Sequence, residues 1–254
     1  MKAIRLVVPC YNEATRLNGP AFLSLVDTDA SIHLLFVNDS STDDTLSCLH
    51  SLAAQRPGRI GVCSLSENRG KAEAVRVGLL KALQEPGRFV GYADADLATP
   101  PEELYRLIET MAASDADVLI AARVGILGAN IERTMVRHYL GRAFASMASL
   151  VLKVQVYDTQ CGAKLLRPSM ALEAALATPF ISRWAFDVEL LGRLLTGAVG
   201  VPPLALERIV EIPLRTWKDV PGSKLQASAM LLAAGDLARI AFDLARRRRA
   251  AKLT

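Results

Sequence analysis

The chain has 254 residues, 51% hydrophobic and 22% charged, a globular composition that excludes a disordered or fibrous protein. Lysine and arginine number 30 against 26 acidic residues, a net charge of +4, which suits an anionic partner without choosing among nucleotide, phospholipid and nucleic acid. Cys10, Cys48, Cys63 and Cys161 are scattered and form no Cys-x-x-Cys pair, so neither a disulfide framework nor a zinc site is expected.

The N-terminus enters Ile4-Arg5-Leu6-Val7-Val8 directly, and no stretch reaches the roughly 18 apolar residues a membrane span needs. A cytoplasmic protein is expected, with any membrane contact peripheral and on the cytoplasmic face. Ala3 to Val8, stopped by Pro9, reads as a buried parallel strand ending in the loop Cys10-Tyr11-Asn12-Glu13. Ile32 to Val37 is a second strand. Its loop, Asn38 to Thr45, leads into a helix with Thr42 as the expected N-cap and Asp43 and Asp44 in the first turn. Ile60 to Leu65 is a third strand, followed by Glu67-Asn68-Arg69-Gly70-Lys71 and a helix presenting Ala72, Val75, Leu79 and Leu83 on one face.

The fourth strand, Phe89 to Ala93, runs into Asp94-Ala95-Asp96. Alternate side chains of a strand share a side, so Asp94 and Asp96 can approach one hard divalent cation, which prefers oxygen ligands. Asp-x-Asp alone is weak, since most such pairs are solvated loop carboxylates; its position must supply the specificity. Thr99, Pro100 and Glu102 read as a capping box with Pro100 at the first helical position, and Val118 to Ala122 is a fifth strand. Alternating strands and helices imply a mostly parallel sheet flanked by helices, with ligands beyond the carboxyl ends of the strands. Glu13, Asp39, Arg69 with Lys71, Asp94 with Asp96, and Arg123 all fall at those ends.

The second half is less regular. A loop over Val124 to Asn130 precedes a helix from about Ile131 to Leu152. Arg133 and Arg137, four apart, form either a solvated face or a grip on an anion. The small, apolar run Ala143 to Leu152 is expected to pack in the core. Asp158-Thr159-Gln160-Cys161-Gly162-Ala163-Lys164 looks like a loop, and Arg183 to Leu191 a helix start. A long C-terminal helix carries Met230, Ala233, Ala234, Leu237, Ile240, Ala241 and Leu244 as one apolar stripe. Leu231, Ala238 and Phe242 form a second beside it. Asp236, Arg239, Asp243 and Arg246 are expected on the opposite side, and the basic tail, Arg246 to Arg249 with Lys252, is expected to favour anionic headgroups.

In order, Val8-Pro9-Cys10-Tyr11-Asn12-Glu13, Val37 to Asp43, Asn68-Arg69-Gly70-Lys71 and Asp94-Ala95-Asp96 resemble the donor-site motifs of inverting family 2 glycosyltransferases with the GT-A fold. Asp158 to Gly162, Arg183 to Glu189 and Gly222-Ser223-Lys224-Leu225 look like the dolichyl-phosphate β-glucosyltransferase branch, and the likeness runs from residue 4 to about 230. The resemblance implies a GT-A domain over 1–222, with a nucleotide-sugar half 1–123 and an acceptor half 124–222, followed by a C-terminal helix with its basic tail over 223–254. It implies transfer of glucose from UDP-glucose to a polyprenyl or dolichyl phosphate, with Mg²⁺ or Mn²⁺ held by Asp94 and Asp96. Pro9, Tyr11, Glu13, Asp39, Lys71, Asp94, Ala95 and Asp96 would bind the donor. Arg123, Arg133 and Arg137 would grip the acceptor phosphate, and Asp96, Asp158, Asp187, Arg183 and Trp184 would be catalytic.

Ala98 departs from the pattern, standing where mannosyltransferase relatives carry a metal-holding glutamine. A hydroxyl acceptor would require a base, for which Asp158 and Asp187 are the candidates, each with a structural alternative as loop cap or helix-start carboxylate. Trp184 is either a wall beneath the sugar or core. A soluble glycosyltransferase with a hydroxyl acceptor is the alternative function, and a nucleotide-binding module without turnover the next. A sugar-phosphate nucleotidyltransferase would need a Gly-rich basic loop after Val8. Nucleic acid is not expected, because the basic residues lack interleaved aromatics.

Overall fold

A computed structural model describes residues 3–220 and 227–250, the side chains of Arg137 and of residues 227–234 excepted. The expected Gly222 to Leu225 motif, Lys252 and the side chains of Arg137, Met230, Leu231, Ala233 and Ala234 lie outside the described part. The chain divides into two compact units, Met1–Asp115 with Gly162–Pro168, and Ala116–Cys161 with Ser169–Thr254.

In the first unit the β-branched runs become strands β1 (Ala3–Cys10), β2 (Ile32–Asn38), β3 (Ile60–Ser64) and β4 (Gly87–Ala93). Between and after them lie α1 (Gly19–Thr28), α2 (Thr45–Gln55), α3 (Lys71–Leu83) and α4 (Pro101–Ala113). The spatial order is β3-β2-β1-β4, all parallel. A later strand, Ala163–Leu166, returns to this unit antiparallel to β4, with Gly91 opposite Leu165. Val7, Phe36 and Phe89 are fully buried, each such side chain contributing about 1.5–3 kcal/mol through burial. A Cβ at Gly78 would collide with Val7 and Val37, so the missing side chain lets α3 lie close on the sheet.

Two helix starts differ from expectation. The α2 helix begins at Thr45 with Asp44 at the N-cap position, because Thr42 is drawn instead toward Asn12, whose Oδ1 accepts from Thr42 N at 2.8 Å. The α4 helix begins at Pro101 with Pro100 as N-cap and no side-chain cap bond; Thr99 is buried and the expected capping box does not form.

The second unit holds β5 (Val118–Ala122), β6 (Asn130–Glu132), α5 (Met135–Leu152), α6 (Met170–Leu176), α7 (Phe186–Thr196), β8 (Ile209–Pro213), β9 (Thr216–Lys218) and α8 (Ala227–Ala250). The first unit's returning strand, Ala163–Leu166, is β7 in chain order. β5 pairs with β8 and β6 with β9, both parallel. Because residues 130–132 are taken by that ribbon, α5 starts at Met135 and not near Ile131. Leu244 of α8 occupies the space left by Gly192 of α7, where a Cβ would collide with it. Within α7, Glu189 and Arg193 form a buried pair at 2.6 Å, and Arg193 also donates to the carbonyls of Ala175, Thr178 and Pro179, so the pair fixes the turn before α7.

Two further expectations are corrected here. Leu237, Ile240 and Leu244 of α8 are buried as expected, but Asp243 is buried with them, held by Arg246 at 2.8 Å and Arg247 at 2.6 Å; these two guanidinium groups supply the compensation that a buried carboxylate requires. The run Ala143 to Leu152 is core only along Ala145, Ala148 and Leu152, whereas Leu150 is 80% exposed.

Candidate active site

Backbone strain in the first unit gathers at the carboxyl ends of the strands. Asn12 after β1, Ser40 after β2 and Leu97 after β4 have φ of 53°, 56° and 49°, a left-handed conformation that costs non-glycine residues about 1–2 kcal/mol, and Gly70 after β3 has φ 90°. Such strain collects where loops are held for function.

The first two loops are stitched together. Asn12 N donates to Ser41 Oγ at 3.0 Å, Glu13 N to Thr45 Oγ1 at 2.8 Å and Ala14 N to Asp43 Oδ2 at 3.2 Å. Pro9 lies in β1 opposite Val37, Tyr11 is half-buried beyond it, and the Glu13 carboxylate pairs with Arg16 at 2.8 Å. Asp39 is buried and accepts from Arg69 N and Gly70 N, each at 2.8 Å. Its carboxylate thereby fixes the turn that delivers Lys71 to the start of α3.

Lys71 Nζ lies 2.5 Å from Asp94 Oδ1. That contact is charge without hydrogen-bond alignment, since Asp94 Oδ1 is occluded and accepts no aligned bond among the described residues. The carboxylate is also cradled by backbone. Asp94 N donates to Gly162 O at 3.0 Å, and a Cβ at Gly162 would collide with the Asp94 side chain. Ala95 between the two acids is buried. Asp96 Oδ1 accepts from Ala98 N at 3.1 Å, and its pKa is raised, by burial first and by the Asp94 charge second, against the opposing pull of that bond, Lys71 and Arg16. A carboxylate with a raised pKa beside a second one that has an occluded and unaligned oxygen fits a divalent cation. The described residues hold no cluster of three metal-ligating side chains, so Asp94 and Asp96 would supply two ligands, with others from water or substrate phosphate.

In the second unit the charge problem is reversed. Arg123 follows β5 and forks onto Asp158, Nε at 2.6 Å and Nη2 at 2.8 Å, while its backbone N–H donates to the same carboxylate at 3.1 Å. The guanidinium also stands 5.2 Å from the ring centre of Trp217 on β9. The pKa of Asp158 is lowered, the Arg123 charge and its bonds overcoming the large opposing effect of burial. Glu211 of β8 accepts from the backbone of Tyr157 at 2.8 Å and of Asp158 at 2.9 Å, fixing the loop. Arg133 is half-buried; burial and then the Arg123 charge lower its pKa against the opposing charges of Asp158 and Asp219. Its guanidinium rests on Gly141 of α5, where a Cβ would stand 2.5 Å from Nη2.

The remaining candidates lie at the start of α7. Ser182 Oγ accepts from Trp184 N at 3.1 Å and Ala185 N at 2.7 Å, bracing the turn before the helix, and donates to Asp236 at 2.5 Å. Asp187 is buried in the first turn, Arg183 is exposed and Trp184 is 46% exposed, which excludes a purely core role for the indole. Sequence reasoning missed Glu211, Gly141 and Trp217; a lone acid within Ile209-Val210-Glu211-Ile212 was the available signal for the first. A separate depression of about 650 Å³ opens at the amino ends of β1 and β4, lined by Ile4, Gly87, Arg88, Tyr105 and Arg167 among others, and contains none of the candidate residues.

The sequence model for glycosyl transferase family 2 matches residues 6–173. The chain belongs to glycosyl transferase family 2. It is a glycosyltransferase, and within the family it sides with the dolichyl-phosphate β-glucosyltransferases. The protein of that name from Dictyostelium discoideum is 30% identical over 254 residues, covering 94% of this chain and 74% of its own. That from Drosophila melanogaster is 32% identical over 237 residues, covering 87% and 69%. Among solved structures, glucosyl-3-phosphoglycerate synthase of Mycobacterium tuberculosis superposes with a TM-score of 0.68 at 16% identity, over 96% of this chain and 80% of that one. The same synthase with Mn²⁺, UDP-glucose and phosphoglyceric acid bound superposes with a TM-score of 0.64 at 18% identity, covering 95% and 80%. The likeness places this family 2 enzyme in the GT-A fold expected from its sequence.

Proposed function

We propose that this enzyme transfers glucose, with inversion, from UDP-glucose to the phosphate of a polyprenyl phosphate, with Mg²⁺ or Mn²⁺ held by Asp94 and Asp96. The observation that carries the acceptor assignment is Arg133, a half-buried guanidinium whose pKa is lowered by burial and by the Arg123 charge in spite of Asp158 and Asp219. A phosphate answers that arrangement in charge, and a guanidinium fork matches its oxygens in geometry. The relatives' name, dolichyl-phosphate β-glucosyltransferase, supports the same reading, as do the UDP-glucose and Mn²⁺ of the fold neighbour.

On this reading the first unit binds the donor. Pro9, Tyr11, Glu13 and Asp39 line the nucleoside side, and Asp39 additionally holds the turn that presents Lys71 to the diphosphate. A divalent cation bound by Asp94 and Asp96 would offset the charge that grows on the departing diphosphate. Arg123 and Arg133, with Arg137, orient the acceptor phosphate. One of its oxygens attacks the anomeric carbon on the side opposite the leaving group; the new carbon–oxygen bond forms as the bond to the diphosphate breaks, and UDP leaves with the electron pair.

A phosphate monoester is already ionised near neutral pH, so no base has to remove a proton. This favours a phosphate over a hydroxyl acceptor, because Asp158, with both oxygens on Arg123 and a lowered pKa, is a weak base. Asp158 then acts by holding Arg123. Trp184, exposed beside Arg183 and the buried Asp187, offers an apolar wall to the sugar. Labelled UDP-, GDP- and dTDP-sugars, each with Mg²⁺ or Mn²⁺, test the reading. Label from UDP-glucose is expected in butanol-extractable lipid; label appearing only in water-soluble product would overturn the lipid acceptor.

A further inference from the structure

We propose that the outer face of α5, with the loop tip Ile126-Leu127, is a membrane-contact surface that seats the protein in the headgroup layer of an anionic bilayer. This rests on the acceptor reading only for its purpose; the surface itself is read from exposure and charge. The α5 helix is apolar on two sides. Its inner side is satisfied by Ala145, Ala148 and Leu152, all buried. Yet Val136, Tyr139 and Leu150 are 68%, 64% and 80% exposed, and Leu127 in the preceding loop is wholly exposed at 104%. Single exposed apolar residues are ordinary. Here they recur at helical spacing from 136 through 139 and 140 to 150, where a helix bathed in water would carry its charged residues.

Charge selects the occupant. From Arg133 to Lys153 the chain contains no aspartate or glutamate but has Arg133, Arg137, Arg142 and Lys153. Lys153 is exposed, and Arg248 of α8 donates to the carbonyl of Leu152 at 3.4 Å, so further positive charge stands at the C-terminal end of α5. An apolar stripe with cations at both ends and no acid along its length is complementary to anionic lipid headgroups, whereas a second copy of the same surface would repel it. No helix among the described residues is long and apolar enough to cross a membrane, which makes an in-plane helix the geometry suited to such a face.

The test is co-sedimentation of the full chain, without substrate, with phosphatidylcholine vesicles and with vesicles that also contain phosphatidylglycerol. The wild type is expected to sediment with the anionic vesicles at low salt and to be released by high salt. Leu127→Glu with Val136→Glu is expected to lower partition about tenfold or more, and Tyr139→Ser with Leu150→Ser, further along the same stripe, to lower it too. Both variants should keep wild-type transfer to a short-chain, water-soluble polyprenyl phosphate, which shows that they are folded. Wild-type protein left in the supernatant at low salt would overturn the proposal. So would variants that sediment like the wild type, or light scattering showing a dimer that the substitutions abolish without any vesicle binding. Absence of transfer to the short-chain acceptor by the wild type would instead overturn the acceptor reading, while vesicle partition decides the surface independently.

Discussion

The acid pair after β4 and the basic pair of Arg123 and Arg133 pose the same electrostatic problem with opposite sign. In the first, burial and the Asp94 charge raise the cost of ionising Asp96, and Lys71 only partly offsets it. In the second, Asp158 holds Arg123 through a fork of two hydrogen bonds, and burial and the Arg123 charge weigh on Arg133 more than Asp158 and Asp219 offset. Each region thus holds charge that the fold only partly compensates. Folding energy does not favour such sites, since a polar group buried without full compensation costs stability; they persist where a ligand brings the missing charge. The difference between them is what is missing: a cation in the first unit and an anion in the second.

The comparison breaks most visibly at Asp158. Removing the Asp158 carboxylate strands Arg123 beside Arg133, and breaking a buried pair in this way costs about 3–5 kcal/mol. Asp158→Ala is therefore expected to show a large fall in urea midpoint. Its pKa is lowered in the fold, so the contribution is fully present above the ordinary aspartate value and is lost as pH falls through the depressed one. A midpoint within error of wild type at pH 7 would mean that the fork contributes nothing.

Next in size is Asp96→Ala, expected to lower kcat about a hundredfold or more, because several kcal/mol of charge stabilisation depends on the cation it would hold. Full turnover of this variant, or undiminished turnover of the wild type in chelator, would remove the metal from the acid region. Arg133→Ala should separate binding from stability. Loss of a charged hydrogen bond to phosphate, about 1.5–3 kcal/mol, should raise the acceptor KM roughly tenfold to a hundredfold. The folding midpoint should hold or rise, because a like charge leaves Arg123. Calorimetry with UDP should show unchanged donor affinity; an equal loss there would place Arg133 on the donor side.

The acid region was the more legible of the two in the sequence. Its parallel strands are β-branched runs with clear stops, so Val118–Ala122 agrees at both ends, and the polar residues at their carboxyl ends fall where the alternation puts them. The strand at Pro9 ran on to Cys10 because pairing with β4 ends at Val7 while pairing with β2 continues, leaving Pro9 with a single neighbour. The basic region depends on short elements without periodicity. A three-residue strand such as Asn130–Glu132 carries no pattern, and the hold of Glu211 on the Tyr157-Asp158 backbone spans more than fifty residues of chain. Gly141 and Gly162 are further examples, since the close approach of a guanidinium or a carboxylate to a missing Cβ exists only in three dimensions. The outward apolar face of α5 was misjudged for a related reason: small residues mark close packing on one side of a helix and say nothing of the other.

The smallest expected effect sharpens the comparison from the acid side. The pKa of Asp96 is raised in the fold by burial and by Asp94, so at neutral pH its ionised form disfavours the native state. The native protein binds more protons than the unfolded chain between the ordinary carboxylate value and the raised one, and stability therefore falls as pH rises through that window. Asp96→Asn removes the charge and keeps the size, so without metal it should melt slightly above wild type at pH 7, by up to about 1 kcal/mol or roughly 2–4 °C. The gap should shrink as pH is lowered toward 4, because the wild-type carboxyl takes up its proton at a higher pH than an ordinary aspartate. Added Mn²⁺ should then reverse the order at pH 7. At about ten times its dissociation constant it stabilises the wild type by about 1.4 kcal/mol and leaves the variant where it was. Melting curves with and without Mn²⁺ at the two pH values check this, and an Asp96→Asn protein that melts lower than wild type without metal would mean that the carboxylate is satisfied by the fold alone.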